Sequence, residues 1–267
     1  MGKANGLEQT RRTRGLVSGR VSGSRVHAER WPPPSDLADV VECLWHGRWD
    51  LVDQEPHTTQ LLSDPSMHLV VELGDAGPAC RVVGVWTDLW TRTLAGRGHV
   101  FGIKLRPGAC QALACAPAKS LSNTRSPRDE DELIHALASD EGAASEHLSA
   151  WLRANRFDHR DTQTAVAIVA FMQTSPLTRV DEVANAHGIS VRALQRLFAT
   201  HVGASPKWVL RRFRLQEAAD RVENGTGEQL ADLAYSLGYA DQAHLARDFR
   251  AATGKTLSGF GKTVWME

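Results

Sequence analysis

The chain repeats itself in its C-terminal part, and this internal repeat restricts the fold more than any other feature. Three positions recur fifty residues later with similar side chains, and four more recur fifty-one residues later. The matched pairs are Val183/Leu233, Ala184/Ala234 and Gly188/Gly238, then Leu194/Leu245, Arg196/Arg247, Phe198/Phe249 and Gly203/Gly254. A pattern that recurs at a fixed offset predicts two copies of one supersecondary unit.

Each copy has the pattern of two helices joined by a tight turn. Gly188 and Gly238 stand where the first helix must end and the chain must reverse, because glycine adopts a left-handed backbone at little cost. Ser190 and Asp241 follow as N-caps of the second helix. A leucine and a phenylalanine four residues apart then bury one face of that helix. The repeat therefore predicts two helix-turn-helix units.

The opposite face of each second helix is polar. It carries Arg192, Gln195 and Arg196 in the first copy, and Gln242, Ala243, His244 and Arg247 in the second. Arginine can donate two hydrogen bonds to guanine, and glutamine can pair with adenine in the same way. On a lone helix such residues would only solvate a surface. Two copies at equivalent positions instead favour recognition of DNA in the major groove.

Three motifs carry a family resemblance. They are Gly-Ile-Ser-x-x-x-Leu-x-Arg-x-Phe from Gly188, Gly-x-Ser-Pro from Gly203, and Gly-Tyr-x-Asp-Gln-x-x-x-x-Arg-x-Phe from Gly238. Together, over about residues 163–260, they resemble the AraC/XylS family of bacterial transcription factors. Val209 replaces an aromatic residue of the family pattern and Leu257 replaces a proline; both positions concern packing.

The resemblance implies recognition helices near 190–201 and 241–252, joined by a long helix. It also implies two partners, double-stranded DNA bound through its major groove and RNA polymerase. The DNA-binding residues expected from the repeat and the resemblance are Ser190, Arg192, Gln195, Arg196, Lys207, Arg211, Asp241, Gln242, His244 and Arg247.

The charge distribution divides the chain into parts. Residues 31–159 carry a net charge of −7, between a basic start of +5 over residues 1–30 and an end of +2 over residues 160–267. This asymmetry indicates at least two functional parts. We expect a disordered basic tail over 1–30, a sensory or regulatory domain over 31–157, and the DNA-binding domain over 158–267.

The middle part has the pattern of an α+β domain. Short β-branched or aromatic runs between turn residues predict strands at Val41–Leu51, Met67–Leu73, Arg81–Val85 and His99–Leu105. From Gly108 to about Arg156 the spacing becomes helical. The predicted fold is a small antiparallel sheet followed by helices, and then an all-α domain of two helix-turn-helix units.

The runs Leu62-Ser63-Asp64-Pro65 and Leu105-Arg106-Pro107-Gly108 resemble a domain of unknown function often found ahead of AraC-type domains, over about residues 36–140. This implies a transcriptional regulator controlled at its front domain by a small molecule or a partner. The alternative is a ligand-independent regulator whose front domain only dimerises the chain or contacts other proteins. Five tryptophans before residue 100 either line an apolar pocket or pack a core.

The sequence favours a binding protein over an enzyme. No G-x-S-x-G, P-loop or G-x-G-x-x-G motif occurs. The four cysteines form no C-x-x-C pair, and His46, His57, His68 and His99 have no ligand spacing. We therefore expect no metal and no cofactor, and interpret the cysteines as small buried hydrophobes. No apolar run approaches the roughly 20 residues of a membrane helix, so we expect a cytoplasmic, nucleoid-associated protein without membrane contact.

Overall fold

The computed structural model describes residues 16–18, 26–113, 116–223, 229–257 and 259–260. Within them, strands fill the first half and helices the second. The strands are β1 Leu16–Ser18, β2 Val26–Trp31, β3 Val41–Leu51, β4 His57–Leu62, β5 His68–Gly74, β6 Ala79–Val83, β7 Leu89–Leu94, β8 Gly96–Leu105 and β9 Arg125–Arg128. The helices are α1 Asp131–Ser139, α2 Ala144–Asn155, α3 Thr162–Thr174, α4 Val180–Ala186, α5 Val191–His201, α6 Pro206–Glu223, α7 Leu230–Ser236 and α8 Gln242–Thr253.

The strands form two antiparallel sheets. The larger sheet has the order β2-β3-β8-β5-β6-β9, and the smaller one has the order β1-β4-β7. Alternate residues of the larger sheet point to one face, where Leu44, Leu69, Val71, Phe101 and Ile103 are buried. Helices α1 and α2 pack against this sheet. The predicted α+β architecture of the front domain is confirmed.

On the opposite face of the larger sheet, two tryptophan rings each cover a glycine of the neighbouring strand. A Cβ atom on Gly102 would lie 2.2 Å from Trp45, and one on Gly98 would lie 2.4 Å from Trp49. Both pairs face each other directly across β3 and β8. An aromatic side chain can cover a glycine on the neighbouring strand and so pin the register. These two tryptophans, both partly exposed, therefore pack on the outer face of the sheet and not in its core.

The helices after residue 161 continue the core of the front domain. One apolar cluster joins residues of the large sheet, such as Ile103, to Leu194 and Phe198 of α5. A second cluster joins Leu245 and Phe249 of α8 to Leu62 at the end of β4. Both parts of the chain thus contribute to each cluster.

Several sequence expectations need correction. The disordered tail predicted for residues 1–30 is too long, because residues 16–18 form β1 and β2 begins at Val26. Residues 1–15 and 19–25 lie outside the described part. Strands β4, β7 and β9 were not predicted, and β9 interrupts the stretch read as helical after Gly108. Their sequences are too polar to show the alternation of a half-buried strand.

The cysteines that the structure describes match their predicted role in part. Cys80 and Cys110 are buried, and burial raises the pKa of both thiols to about 12. Both are therefore protonated at neutral pH and unreactive. Cys43 is partly buried, and Cys115 lies outside the described residues.

Candidate DNA-binding surface

The first unit consists of α4, a turn and α5. Gly188 has a φ of +63°, and the N–H of Ile189 donates to the carbonyl of Ala184 at 3.1 Å. Ser190 then begins α5 as its N-cap, because its side chain accepts a hydrogen bond from the N–H of Ala193 at 3.1 Å. Ser190 therefore has a capping role that the structure accounts for without DNA.

The second unit, α7 and α8, has the same local geometry. Gly238 has a φ of +72°, and the N–H of Tyr239 donates to the carbonyl of Ala234 at 2.9 Å. The Asp241 carboxylate accepts from the N–H of His244 at 2.6 Å and caps α8. Equivalent turns fifty residues apart and equivalent caps fifty-one residues apart confirm that the sequence repeat is a structural repeat.

The two second helices are amphipathic in the predicted direction. Leu194, Phe198, Leu245 and Phe249 are buried completely. The polar residues on the other side are all exposed: Arg192, Gln195 and Arg196 on α5, and Gln242, His244 and Arg247 on α8. Among the described residues, no carboxylate pairs with the arginines of this set. Unpaired cations next to exposed amides can form new hydrogen bonds without breaking old ones.

Two predicted site residues lie on the linking helix α6, and they differ. Lys207 is exposed in the first turn of α6 and has no carboxylate partner in the described part of the chain. Arg211 instead forms a two-point ion pair with Asp248 of α8, at 2.8 and 3.0 Å. The pair ties α6 to α8. Arg211 thus has an observed partner within the protein, whereas the resemblance suggested DNA.

The two units are also held against each other directly. A Cβ atom on Gly238 would lie 2.5 Å from the methyl group of Thr178, so the turn of the second unit touches the segment before α4. Arg214 of α6 donates to the Thr178 carbonyl at 3.0 Å and lies 5.5 Å from the ring centre of Tyr239. Arg214 could not be predicted from the sequence, because its partners lie 36 and 25 positions away along the chain.

The front domain docks on the buried side of α6. Arg212 and Trp208 both donate to the carbonyl of Thr87, at 2.7 and 3.3 Å, and Arg212 stacks on the Trp208 ring. Gln216, one turn further along α6, donates to the Asp64 carboxylate at 2.5 Å. Burial lowers the pKa of Arg212 to about 10, which still leaves the side chain charged at neutral pH. The side of α6 that faces the front domain is therefore polar and specific.

The end of the first unit has its own contacts with the front domain. Gln111 donates to the carbonyl of Thr200 at 3.0 Å, and Ser122 donates to the carbonyl of Gly203 at 2.5 Å. Both acceptors lie at the C-terminal end of α5 or just beyond it. The front domain thus contacts both α6 and the C-terminal end of α5.

Comparison with known families assigns both parts of the chain. A family described as a helix-turn-helix domain matches residues 183–263. A second family, a domain of unknown function called DUF6597, matches residues 29–127. This part of the chain is similar to AraC-type helix-turn-helix proteins. The resemblance inferred from the motifs is confirmed, and so is that of the front domain.

Individual relatives match at low identity. The HTH-type transcriptional activator RhaS of Pectobacterium carotovorum is 28% identical over 131 residues, which cover 45% of this chain and 47% of that protein. The match thus spans about half the length of this curated relative. Among the residues described, no helix is both long and apolar enough to cross a membrane.

Solved structures give two further likenesses. An AraC-type regulator from Chromobacterium violaceum matches 37% of this chain and 89% of its own, at 22% identity and a TM-score of 0.34. ToxT from Vibrio cholerae matches 91% of this chain and all of its own, at 9% identity and a TM-score of 0.43. Identities of this order carry no function from one chain to another.

Proposed function

We propose that this protein is a transcriptional regulator that binds double-stranded DNA with α5 and α8 in the major groove. One observation carries the proposal. Two equivalent helices each present arginine and glutamine or histidine side chains to solvent, without carboxylate partners among the described residues. The ten residues expected to bind DNA divide into base-reading, phosphate-contacting and positioning roles. Arg192, Gln195, Arg196, Gln242, His244 and Arg247 would read bases; Lys207 would contact phosphate, and the caps and Arg211 would position the helices.

The experiment begins with selection of bound fragments from sheared genomic DNA. Affinity for the selected operator and for a random duplex of equal length is then measured at one salt concentration. Arg196→Ala and Arg247→Ala should each weaken operator binding by about 1–3 kcal/mol and affect random DNA much less. Arg97→Ala, an exposed arginine on β8 of the front domain, is the matched control. Equal loss on both DNAs would make these arginines phosphate contacts and refute base reading.

The length of α6 supports a specific operator geometry. The helix has 18 residues and at about 1.5 Å per residue spans about 27 Å. Major-groove segments on one side of B-DNA lie about 34 Å apart. A single chain should therefore read an asymmetric site with two contact clusters about 10 base pairs apart. Footprinting tests this; protection of one groove only, with Arg247 dispensable, would limit base reading to the first unit.

The front domain is proposed to control DNA binding through α6. We assign the DNA-binding domain to residues 158–267 and the front domain to the residues before it up to 157; the expected start of the front domain at residue 31 moves back to Val26, because β2 belongs to the large sheet. Since Thr87 and Asp64 hold the buried side of α6, a small molecule or protein bound to the front domain could shift α6 and the two units it joins. RNA polymerase and a second copy of the chain are the further partners proposed.

The control proposal has its own test. Gln216→Leu removes the hydrogen bond to Asp64 but keeps the side-chain size and leaves the recognition helices unchanged. Operator affinity should change by about 1 kcal/mol, roughly fivefold, as substitutions between coupled sites do. Unchanged affinity, with an unchanged circular dichroism spectrum, would favour a front domain that only dimerises or contacts proteins. Sedimentation equilibrium of the full chain would then decide between these two roles.

A further inference from the structure

Two histidines and a glutamate converge at one edge of the front domain. His46 lies on β3, His99 lies on β8, and Glu141 begins a short 3-10 turn, Glu141–Ala143, between α1 and α2. The Nε2 atom of His46 is 3.3 Å from the Nδ1 atom of His99. The same Nδ1 atom is 3.4 Å from the Oε2 atom of Glu141. One nitrogen thus faces two partners at nearly equal distance.

The strand register creates this arrangement. His46 pairs with Phe101, two residues after His99 on β8, so the two histidines are diagonal neighbours on one face of the sheet. The His46 ring also lies parallel to the Phe101 ring at 4.4 Å, with Trp31 stacked at 6.3 Å. These contacts hold the imidazole in place without occupying its Nε2 atom. The histidines are 53 residues apart in sequence, which is why spacing along the chain predicted no metal site.

We propose that His46, His99 and Glu141 bind one divalent transition metal ion, zinc in the first instance. Zinc bonds to nitrogen and oxygen of about 2.0–2.2 Å in a tetrahedral site place its ligand atoms about 3.3–3.5 Å apart. The two separations in the cluster, 3.3 and 3.4 Å, fall in this range. Two imidazoles and a carboxylate are a donor set that zinc and its neighbours in the first transition row accept.

Hydrogen bonds between the three side chains explain these distances less well than a bound metal ion does. The His99 Nδ1 atom carries at most one proton, so it can donate to His46 or to Glu141 but not to both. Both separations also exceed the usual 2.7–3.2 Å range for an N–H donor (about 3 Å on average). A metal ion would satisfy all three atoms at once. Glu29, which lies directly opposite His46 in the β2–β3 register, or a water molecule would complete the fourth position.

Such an ion would connect parts of the front domain that are distant in sequence. It would join β3 and β8 of the large sheet to the connection between α1 and α2. Binding should therefore stabilise the folded front domain, by an amount that grows with the logarithm of the free metal concentration once this exceeds the Kd. This site lies apart from the recognition helices, so the proposal does not depend on DNA binding.

A second group in the described part of the chain is the main competitor. His159, Asp161 and His201 also bring three donor atoms within 4.8 Å of one another. His201, the last residue of α5, is almost fully buried, and its ring meets that of His159 edge to face at 4.6 Å. Among the described residues, neither histidine of this group forms an ion pair with Asp161, whereas His99 and Glu141 lie 3.4 Å apart. The experiment must therefore tell the two groups apart.

The test uses the full chain, stripped of metal with a chelator, and titrates it with zinc against a chromophoric competitor. The wild type and His135→Gln, an exposed histidine on α1 outside both groups, should bind one equivalent with the same affinity. His99→Gln and Glu141→Gln should bind at least tenfold more weakly, since loss of even an outer partner costs that much. Glu141 is 47% exposed in its side chain, so its replacement should leave the fold intact by circular dichroism.

Three results would overturn the proposal. The first is wild-type affinity retained in both His99→Gln and Glu141→Gln. The second is loss of binding in His201→Gln alone, which would assign the ion to the competing group. The third is cobalt binding with a sulfur-to-metal absorption band, which would assign the ion to a cysteine. A zinc-dependent rise in the melting temperature of wild type and His135→Gln, absent from His99→Gln, would support it independently.

Discussion

Replacing Asp64 by asparagine tests how the front domain is tied to the linking helix. The two oxygens of Asp64 accept hydrogen bonds from Lys104 of β8 and from Gln216 of α6, both at 2.5 Å. Burial by itself would raise the pKa of Asp64, but the charge of Lys104 and these two hydrogen bonds lower the pKa overall. Asp64 is therefore ionised at neutral pH, and Asp64→Asn removes a charge without changing the side-chain shape.

The expected loss in the free energy of unfolding depends on how exposed the charged side chains are. Lys104 is only 12% exposed in its side chain and keeps one other carboxylate partner, Glu42, which is 41% exposed. Breaking a fully buried ion pair costs about 3–5 kcal/mol, and breaking an exposed one costs about 0–1 kcal/mol. The Asp64 side chain is 29% exposed, so we expect a loss of about 2 kcal/mol in the free energy of unfolding. Glu42→Gln, the matched control on the same lysine, should cost about 0.5 kcal/mol.

Urea titration at pH 7, followed by tryptophan fluorescence, measures both variants. Because the folded-state pKa of Asp64 is lowered, its contribution is present above its ordinary value of 3.8 and is lost as pH falls through the folded-state value. The difference between wild type and Asp64→Asn should therefore persist from pH 7 to pH 5 and shrink in stronger acid. Adding Lys104→Met to Asp64→Asn should restore part of the loss, because it removes a buried cation whose one remaining carboxylate partner, Glu42, is exposed. Equal losses for Asp64→Asn and Glu42→Gln would refute this reasoning.

Three further predictions concern other contacts. A double-mutant cycle of Arg211→Ala and Asp248→Ala, measured by urea unfolding, should give a coupling energy of about 1 kcal/mol, since the two-point ion pair is partly exposed. Losses of stability that simply add up in the double mutant would contradict an interaction between the two residues. Gly102→Ala should cost about 1–3 kcal/mol and lower the melting temperature, because its Cβ atom would meet Trp45; an unchanged melting temperature would show that the indole can move freely. Burial lowers the pKa of His68 to about 3 from its ordinary 6.5, so only the unfolded chain gains this proton between those values and stability should fall as pH drops from about 6.5 towards 3. In urea titrations, the loss of stability between pH 7 and pH 5 should be smaller for His68→Gln than for the wild type. An unchanged loss would rule out His68 as its cause.

The helical half could be predicted closely from the sequence. Both turns, both N-caps and the ends of α5 and α8 follow from residues within one or two helical turns of each other. Glycine at the reversal, Ser190 or Asp241 at the cap, and a leucine–phenylalanine pair four residues apart are local signals. The direction of the polar face follows from the same 3.6-residue period, so the exposed set on α5 and α8 was predicted correctly.

The front half was predicted only where strands were strongly apolar. The range Val41–Leu51 is confirmed to the residue, whereas β4 and β7 were missed. These two strands pair only with each other and with β1. Thr58 and Thr93 even share a hydrogen bond at 2.9 Å on their exposed side. Such strands form because they pair with other strands of the sheet. Their partners are distant along the chain, so a short stretch of sequence does not contain the signal.

Contacts between distant segments required the tertiary structure. The sequence by itself determined two helix-turn-helix units and which side of each second helix faces water, since helix periodicity and capping act over a few residues. Only the folded chain decided that Arg211 pairs with Asp248, that Thr87 holds α6, and that His46 meets His99. Each of these contacts joins residues 37 to 125 positions apart. Their partners are chosen by strand register and by the docking of α6, which depend on the shape of the whole core.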